Sequence, residues 1–200
     1  MQALNSNSPR VAVVYHSGYG HTKVLAEAVA RGAESVAGTV VSLIPVEDAA
    51  ARAAEIDAAD AIVFGAPTYM GSASAAFKAF MDSTSKQWMA RAWKDKLAAG
   101  FTNSGSQNGD KLNTLMQIAI YAMQHGMVWV GLDLMPGNNS STGSVTDLNR
   151  MGSFLGAMAQ SNVDAPPSDA PIESDRKTAE HLGRRVATLA QRLVPLSQAA

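Results

Sequence analysis

The feature that most constrains the fold of this chain is a set of short runs that are apolar at nearly every position. Four of them are VAVVY (11–15), AIVFGA (61–66), LAAGF (97–101) and MVWVGL (127–132). A strand with one solvated face alternates apolar and polar residues, so these runs are typical of strands buried on both faces of a parallel sheet. TVVSLIPV (39–46) is more mixed, which predicts a strand at the sheet edge.

Helical patterns of apolar residues separate these strands. They cover about 21–37, 74–84, 110–124 and a last segment around 182–193. Strand and helix alternate five times, which predicts an α/β fold with a doubly wound parallel sheet and helices on both faces. We expect a flexible N-terminus over 1–9 and a single domain over 10–195. Within that domain, 133–172 is rich in Asn, Ser, Gly, Pro and Asp and predicts a long irregular insertion or interface loop.

Composition excludes several classes of partner and site. Sixteen basic and seventeen acidic residues give a net charge of -1, which argues against nucleic acid or an anionic membrane surface. No apolar run approaches the roughly 20 residues of a membrane span, and the first residues do not resemble a signal peptide. The absence of cysteine excludes disulfides and Cys-ligated metals, and no H-x-x-x-H motif or carboxylate cluster predicts another metal site. A cytoplasmic location is the simplest expectation.

A polar, glycine-containing loop follows the first predicted strand, where a helix begins. HSGYGHT (16–22) offers the hydroxyls of Ser17 and Thr22, and its glycines let the backbone curl around an anion. The helix N-terminus adds unpaired amides and a positive dipole end, so a phosphate could be held without a cation. An ordinary capped turn favours the same residue types. Two other nucleotide motifs are excluded, since Lys23 replaces the last glycine of G-x-G-x-x-G and no G-K-[ST] occurs.

Two more such loops follow the third and fourth predicted strands. They are APTYMGS (66–72) and TNSGSQNG (102–109). The carboxyl ends of parallel strands share one edge of the sheet, where open α/β folds bind their ligands. We therefore expect the three loops to converge on one crevice, one suited to a phosphate and two able to line a flat ring. Tyr69 and Met70 could lie against such a ring.

The order and spacing of these loops resemble flavodoxin-like FMN proteins, in particular the WrbA-type NAD(P)H:quinone oxidoreductases and NADPH-dependent FMN reductases. SGYGHT resembles their phosphate loop, PTYMGS their first isoalloxazine loop and TNSGS their second. HGM (125–127) resembles the place where the family has a histidine beside the flavin, and NRMGS (149–153) resembles the loop before its last helix. The resemblance implies a five-stranded parallel sheet of order 2-1-3-4-5.

The resemblance also implies FMN as cofactor, NAD(P)H as electron donor, and two-electron transfer to a quinone by a ping-pong mechanism. The residues that it assigns to the FMN phosphate are Ser17, Gly18, Tyr19, Gly20, His21 and Thr22. Those that it assigns to the ring are Pro67, Thr68, Tyr69, Met70 and Gly71 from one loop, and Thr102, Asn103, Ser104 and Gly105 from the other. The family usually has a basic-aromatic pair where this chain has Tyr69-Met70.

His125 receives a catalytic role by the same resemblance, as a hydrogen-bond or proton donor to the quinone oxygen. Taken alone, it is a histidine favoured near a helix C-terminus by the dipole. Two alternatives to the quinone oxidoreductase stay open. One is a flavodoxin-type one-electron carrier, although carriers tend to need a strongly acidic docking face. The other is a flavin reductase that releases reduced FMN.

The helix over 110–124 is apolar around most of its circumference, which is usual for a helix covered on two sides. Trp88 and Trp93, in KQWMARAWKDK, would suit the core of an interface. The family resemblance adds that the Trp88 position approaches a neighbouring flavin. We therefore expect a homo-oligomer, with a tetramer favoured over a dimer. The alternative is that 133–172 covers the helix within one chain.

Overall fold

A parallel sheet forms the centre of the structure, a computed structural model that describes residues 8–197. Its strands are β1 (Arg10–Tyr15), β2 (Val40–Pro45), β3 (Ala61–Tyr69), β4 (Ser72–Ala73), β5 (Leu97–Ser104), β6 (Val128–Trp129) and β7 (Ala157–Gln160). The helices are α1 (His21–Glu34), α2 (Ala53–Asp57), α3 (Ala75–Ser83), α4 (Ser85–Ala90), α5 (Lys111–Gln124) and α6 (Glu173–Ser197). The predicted flexible N-terminus falls mainly on residues 1–7, outside the described part of the chain.

The strand order is β2-β1-β3-β5-β6, and β7 also pairs with β5. The strands of this sheet pair in parallel, and β4 forms a short antiparallel hairpin with β3. The predicted doubly wound sheet of order 2-1-3-4-5 is therefore confirmed, with β5 in the fourth position. β2 lies at the edge, as its mixed composition predicts.

The fifth position of the sheet differs from the prediction. The run MVWVGL pairs with β5 only through Val128 and Trp129, opposite Leu97 and Ala98. The chain then leaves the sheet, and β7 returns to pair with β5 from Phe101 to Ser104. This strand lies inside the stretch 133–172 that the sequence predicts to be irregular. Its sequence, AMAQ, is only four residues long and half-buried at alternate positions, so it carries no extended apolar run.

The apolar strands are buried on both faces because helices cover each side of the sheet. On one side, β1, β3 and β5 pack against α1 and α6, through residues that include Val11, Val13, Leu25, Val29, Leu182 and Val186. On the other side, they pack against α2, α3 and α5, through residues that include Ala12, Val14, Phe64, Phe77, Ile118 and Tyr121. Alternate residues of β1 thus belong to different cores, which explains its continuous apolar run.

Trp93 belongs to the second of these cores and not to an interface, so this part of the assembly prediction is wrong. Its side chain is only 1% exposed and lies 6.2 Å, between ring centroids, from Phe64. Its indole Nε1 donates a hydrogen bond to Asp57 Oδ1 (2.7 Å). Trp88, five residues earlier, remains half-exposed. The sequence places both tryptophans close together but does not show which of them the chain folds over.

Candidate functional site

The three predicted loops meet in one crevice at the carboxyl edge of the sheet. It has a volume of about 360 Å³ and is lined by Ser17, Tyr19, His21, Thr22, Pro67, Thr68, Tyr69, Asn103, Ser104, Gly105, Ser161 and Val163. A shallower depression beside it adds Met70 and Gly71. Of the residues predicted to bind the cofactor, Gly18, Gly20 and Thr102 do not line either space. Each of them packs against the surrounding loops, Gly18 against Tyr69, Gly20 against Pro167 and Thr102 against Thr68.

The first loop forms a cradle for an anion at the N-terminus of α1. Gly20 is the N-cap residue and has a φ of +91°, a backbone conformation that favours glycine. Ser17 Oγ accepts a hydrogen bond from the amide of Lys23 (3.0 Å). The amides of His21 and Thr22 belong to the first turn, where helical amides have no intrahelical acceptor. No carboxylate occurs in this turn, so the helix dipole and these amides favour a phosphate here.

Tyr69 of the second loop and Tyr19 of the first loop form the aromatic wall of the crevice. The rings of Tyr19 and Tyr69 meet edge to face, with centroids 6.2 Å apart. Partial burial raises the pKa of the Tyr69 hydroxyl, so this group stays protonated at neutral pH. Met70 and Gly71 follow in left-handed conformations, with φ of +49° and +78°. The turn leaves the Met70 side chain fully exposed beside the crevice.

A buried hydroxyl network holds the second loop against the third strand-end and α5. Thr68 Oγ1 lies 2.8 Å from both Thr102 Oγ1 and Thr114 Oγ1. The side-chain amide of Asn113 donates to the carbonyl oxygen of Gly71 (2.7 Å). These contacts within the protein fix the loop of Thr68–Gly71 to α5 and to Thr102.

The segment after β7 forms a fourth wall that sequence analysis missed. Ser161 Oγ donates to Asn103 Oδ1 (2.9 Å), and Val163 projects beside Gly105 with 88% of its surface exposed. Farther along, His21 Nε2 lies 2.8 Å from the carbonyl oxygen of Ala165. The available signal was the polar sequence SNVD directly after AMAQ, which repeats the pattern of a polar loop at a strand end. This signal could be used only if AMAQ had first been identified as the short strand β7.

His125 and Trp88 do not reach this crevice within one chain. His125 is the C-cap residue of α5, and the 14 residues of this helix separate it from the crevice by about 20 Å. Both side chains line a second groove of about 530 Å³, between α3, α4 and α5. The His125 ring stacks on Trp93, with ring centroids 4.4 Å apart, and its Nε2 lies 3.1 Å from Thr84 Oγ1. Burial lowers the pKa of His125, so the imidazole is neutral at pH 7.

The described residues contain no group of three or more His, Cys, Asp or Glu side chains placed to hold a metal ion. Among these same residues, no helix combines the length and the apolar composition needed to cross a membrane.

The fold and the crevice together define a flavodoxin-like protein with a phosphate cradle at one end and a ring-sized space at the other. Comparison with known proteins agrees. Residues 9–139 match the NADPH-dependent FMN reductase family. The chain belongs to this family, which confirms the resemblance and supports the predicted cofactor and electron donor.

Individual relatives cover nearly the whole chain. Flavodoxin FldP of Pseudomonas aeruginosa is 44% identical over 92% of this chain and 98% of its own length. A protein of Archaeoglobus fulgidus named NAD(P)H dehydrogenase (quinone) is 33% identical, with the same coverage of both chains. The crystal structure of a WrbA-like flavodoxin from Agrobacterium tumefaciens is 41% identical, with a TM-score of 0.71 over 92% of this chain and 99% of that one.

The residues of the crevice fit FMN. The cradle at α1 offers amides and hydroxyls without a competing carboxylate, which suits a phosphate monoester. The crevice volume of about 360 Å³ lies within the range of about 300–1,000 Å³ that is typical of ligand pockets. Its lining combines the apolar surface of Tyr19, Tyr69 and Val163 with the polar residues Asn103 and Ser104, which suits a ring that carries hydrogen-bonding groups at its edge.

Proposed function

We propose that the chain is an FMN-dependent oxidoreductase that transfers two electrons from NAD(P)H to a quinone. The observation that carries the proposal is the convergence of an anion cradle and two further strand-end loops on one crevice. Membership of the NADPH-dependent FMN reductase family and the similarity to an archaeal NAD(P)H dehydrogenase (quinone) support it. When bound, FMN supplies the hydride chemistry, and the protein supplies binding, orientation and electrostatics.

The proposed roles of the residues follow from their positions. The loop from Ser17 to Thr22 binds the phosphate, and the loops that begin at Pro67 and Thr102 hold the ring from two sides. Tyr19 and Tyr69 shield part of the crevice from water. The depression beside Met70 and Gly71 remains open and suits NAD(P)H and the quinone in turn. Use of one space by both substrates would give ping-pong kinetics.

The test is an anaerobic titration of the FMN-bound protein, first with NADPH or NADH and then with benzoquinone. We expect full bleaching of the flavin by one equivalent of nicotinamide nucleotide. One equivalent of quinone should then restore the colour in a single two-electron step. Failure of both nucleotides to reduce bound FMN would contradict the proposal.

The similarity to flavodoxin FldP keeps a one-electron carrier as the second candidate. A carrier docks its redox partners largely through charge, and the net charge of -1 offers no strong field for this. In the same titration, a carrier would stop at a stable one-electron form and oxidise NAD(P)H negligibly. A flavin reductase that releases reduced FMN would lose its flavin after reduction. Gel filtration of the reduced protein tests this third candidate, because the flavin would then elute apart from the protein.

We also propose that the active unit is a homo-oligomer, with a tetramer favoured, in which the half-exposed Trp88 serves the crevice of a neighbouring subunit and His125 lines the groove beside it. The supporting observation is an exposed apolar face beside the second groove, formed by Leu112, Met116, Ile120 and Met123 of α5 with Trp88 and Met89 of α4. Contiguous exposed apolar surface of this kind marks an interaction site. The absence of cysteine is compatible with a cytoplasmic location, which we propose as well.

A further inference from the structure

Lys111, the first residue of α5, is a buried cation behind the crevice that the sequence analysis did not single out. Its side chain is 0% exposed, although lysine is almost never fully buried without partners. Its Nζ donates three hydrogen bonds, to Ser104 Oγ (2.8 Å), Ser106 O (2.8 Å) and Gln107 O (2.7 Å). These bonds use all three donors of the ammonium group.

The acceptors lie at the last residue of β5, Ser104, and in the loop that follows it, and this segment lines the crevice. Residues 105–108 of this loop are exposed and outside regular secondary structure. Gly109 and Asp110 then turn the chain with φ of +55° and +53°. The carbonyl oxygens of Ser106 and Gln107 point inward onto the ammonium, so Lys111 is the anchor that holds this exposed loop in one conformation.

The charge of Lys111 is not neutralised by an adjacent carboxylate. The nearest ionic groups that influence it are Asp175 and Arg150. These two form a buried bidentate ion pair with each other, with Arg150 Nη2 2.6 Å from Asp175 Oδ2. Among the ion pairs of the described residues, none includes Lys111. Burial lowers the pKa of Lys111 to about 8, so the ammonium is mostly charged at pH 7 and a net positive charge remains beside Ser104.

We propose that Lys111 is a positioning residue of the flavin site with two effects. Its ammonium holds the loop of Ser104–Gln107 in the conformation that receives the ring, and its unneutralised charge favours the reduced cofactor. Reduction adds electrons to the ring, and fixed charge beside a flavin is one of the ways in which a protein adjusts its potential. This inference rests on the proposed binding of FMN in the crevice.

The test compares the wild type with Lys111→Met, which keeps most of the length of the side chain and removes its charge and donors. We expect FMN to bind about tenfold more weakly, because the loop loses its anchor. Reduced FMN should lose about a further tenfold, the order expected for one unit charge about 12 Å away at an effective dielectric constant of about 20. That factor corresponds to a midpoint potential about 30 mV lower for a two-electron couple. Flavin fluorescence and dye equilibration measure the two quantities.

Two further variants separate the effects. Lys111→Gln is neutral but keeps amide donors for the loop, so we expect partial recovery of FMN affinity with the same lowered midpoint potential. It also carries the test if Lys111→Met does not fold. Lys96→Met is the matched control, because Lys96 lies at the opposite end of β5 and donates to the carbonyl oxygens of Asp57 and Ala59. It should change neither the FMN affinity nor the potential.

The outcomes distinguish this inference from the proposed function. If the wild type does not bind FMN, the proposed function fails and the inference fails with it. If the wild type binds FMN and both Lys111 variants keep its midpoint potential, only the inference is overturned. Weaker affinity with an unchanged potential also overturns it, because a residue that only packs the loop would weaken both oxidation states equally.

Discussion

At the scale of single residues, the burial of His125 connects the stability of the fold to pH. The ring is 4% exposed, and its Nδ1 has no hydrogen-bond partner among the described residues. Burial lowers the pKa of His125 below its ordinary value of 6.5. Between that lowered pKa and 6.5, the unfolded chain binds more protons than the folded one. The neutral ring therefore makes its full contribution to the free energy of unfolding at pH 7, and this contribution is lost as the pH falls through this window.

We predict that His125→Phe makes the free energy of unfolding less dependent on pH between 7 and 5. The phenyl ring can still stack on Trp93 and has no proton to bind. Urea denaturation at the two pH values measures the difference. Part of the decrease at pH 5 should remain, because burial also lowers the pKa of His181.

Thr84→Val is the matched control for this prediction. It removes the hydroxyl beside His125 Nε2 without removing a titratable group, so it should destabilise the protein at both pH values. An unaltered pH dependence in His125→Phe would show that the buried imidazole is not the group responsible.

At the scale of elements, α1 and α6 approach so closely that glycine is required on both helices. A Cβ atom added to Gly32 would lie 1.8 Å from the carbonyl oxygen of Glu180. One added to Gly183 would lie 1.9 Å from that of Val29. In each case the obstacle is the backbone of the facing helix, which cannot rotate away. These two helices cover the side of the sheet that carries Val11 and Val13, against which Leu182 of α6 packs.

We predict that Gly183→Ala destabilises the protein by about 1–3 kcal/mol, the usual range for an overpacked core. The sign is informative, because alanine in place of glycine inside an unobstructed helix is stabilising by about 1 kcal/mol. Arg184→Ala, at the next and exposed position of the same helix, should change stability by less than about 0.5 kcal/mol. Urea denaturation of both variants decides the matter, and a more stable Gly183→Ala would refute the close contact.

At the scale of the whole molecule, the exposed apolar face of α5 and α4 predicts association in solution. Ile120 and Met123 are 55% and 58% exposed, and Trp88 is 53% exposed. We expect light scattering to give about four times the 20.9 kDa of one chain at micromolar concentration. Ile120→Glu should reduce that mass, since it buries a charge in the expected interface.

The control is Leu193→Glu, because Leu193 is exposed on α6 and does not belong to the apolar face of α4 and α5. This variant should leave the mass unchanged. Trp88→Ala should both loosen the assembly and slow quinone reduction if its side chain serves a neighbouring crevice. A monomeric wild type would contradict the shared site proposed for Trp88.

The sequence by itself determined the parts of the protein that depend on local pattern. The apolar runs of β1, β3 and β5 require burial on both faces, so they predict a parallel sheet without knowledge of any contact. Polar glycine-containing loops after three strands predict one crevice, because parallel strands end at the same edge. Most of the proposed ring and phosphate residues followed from that rule and from the family resemblance.

The tertiary structure decided what depends on residues far apart in the chain. AMAQ is a strand only because β5 offers an unpaired edge from Phe101 to Ser104. Trp93 is buried and Trp88 exposed because the core around Phe64 receives one of them. Lys111 follows Asp110 in a polar stretch of the sequence, yet the segment of Ser104–Gln107 folds over its side chain. Burial of a charge is a property of the surrounding packing, and no local pattern of residues encodes it.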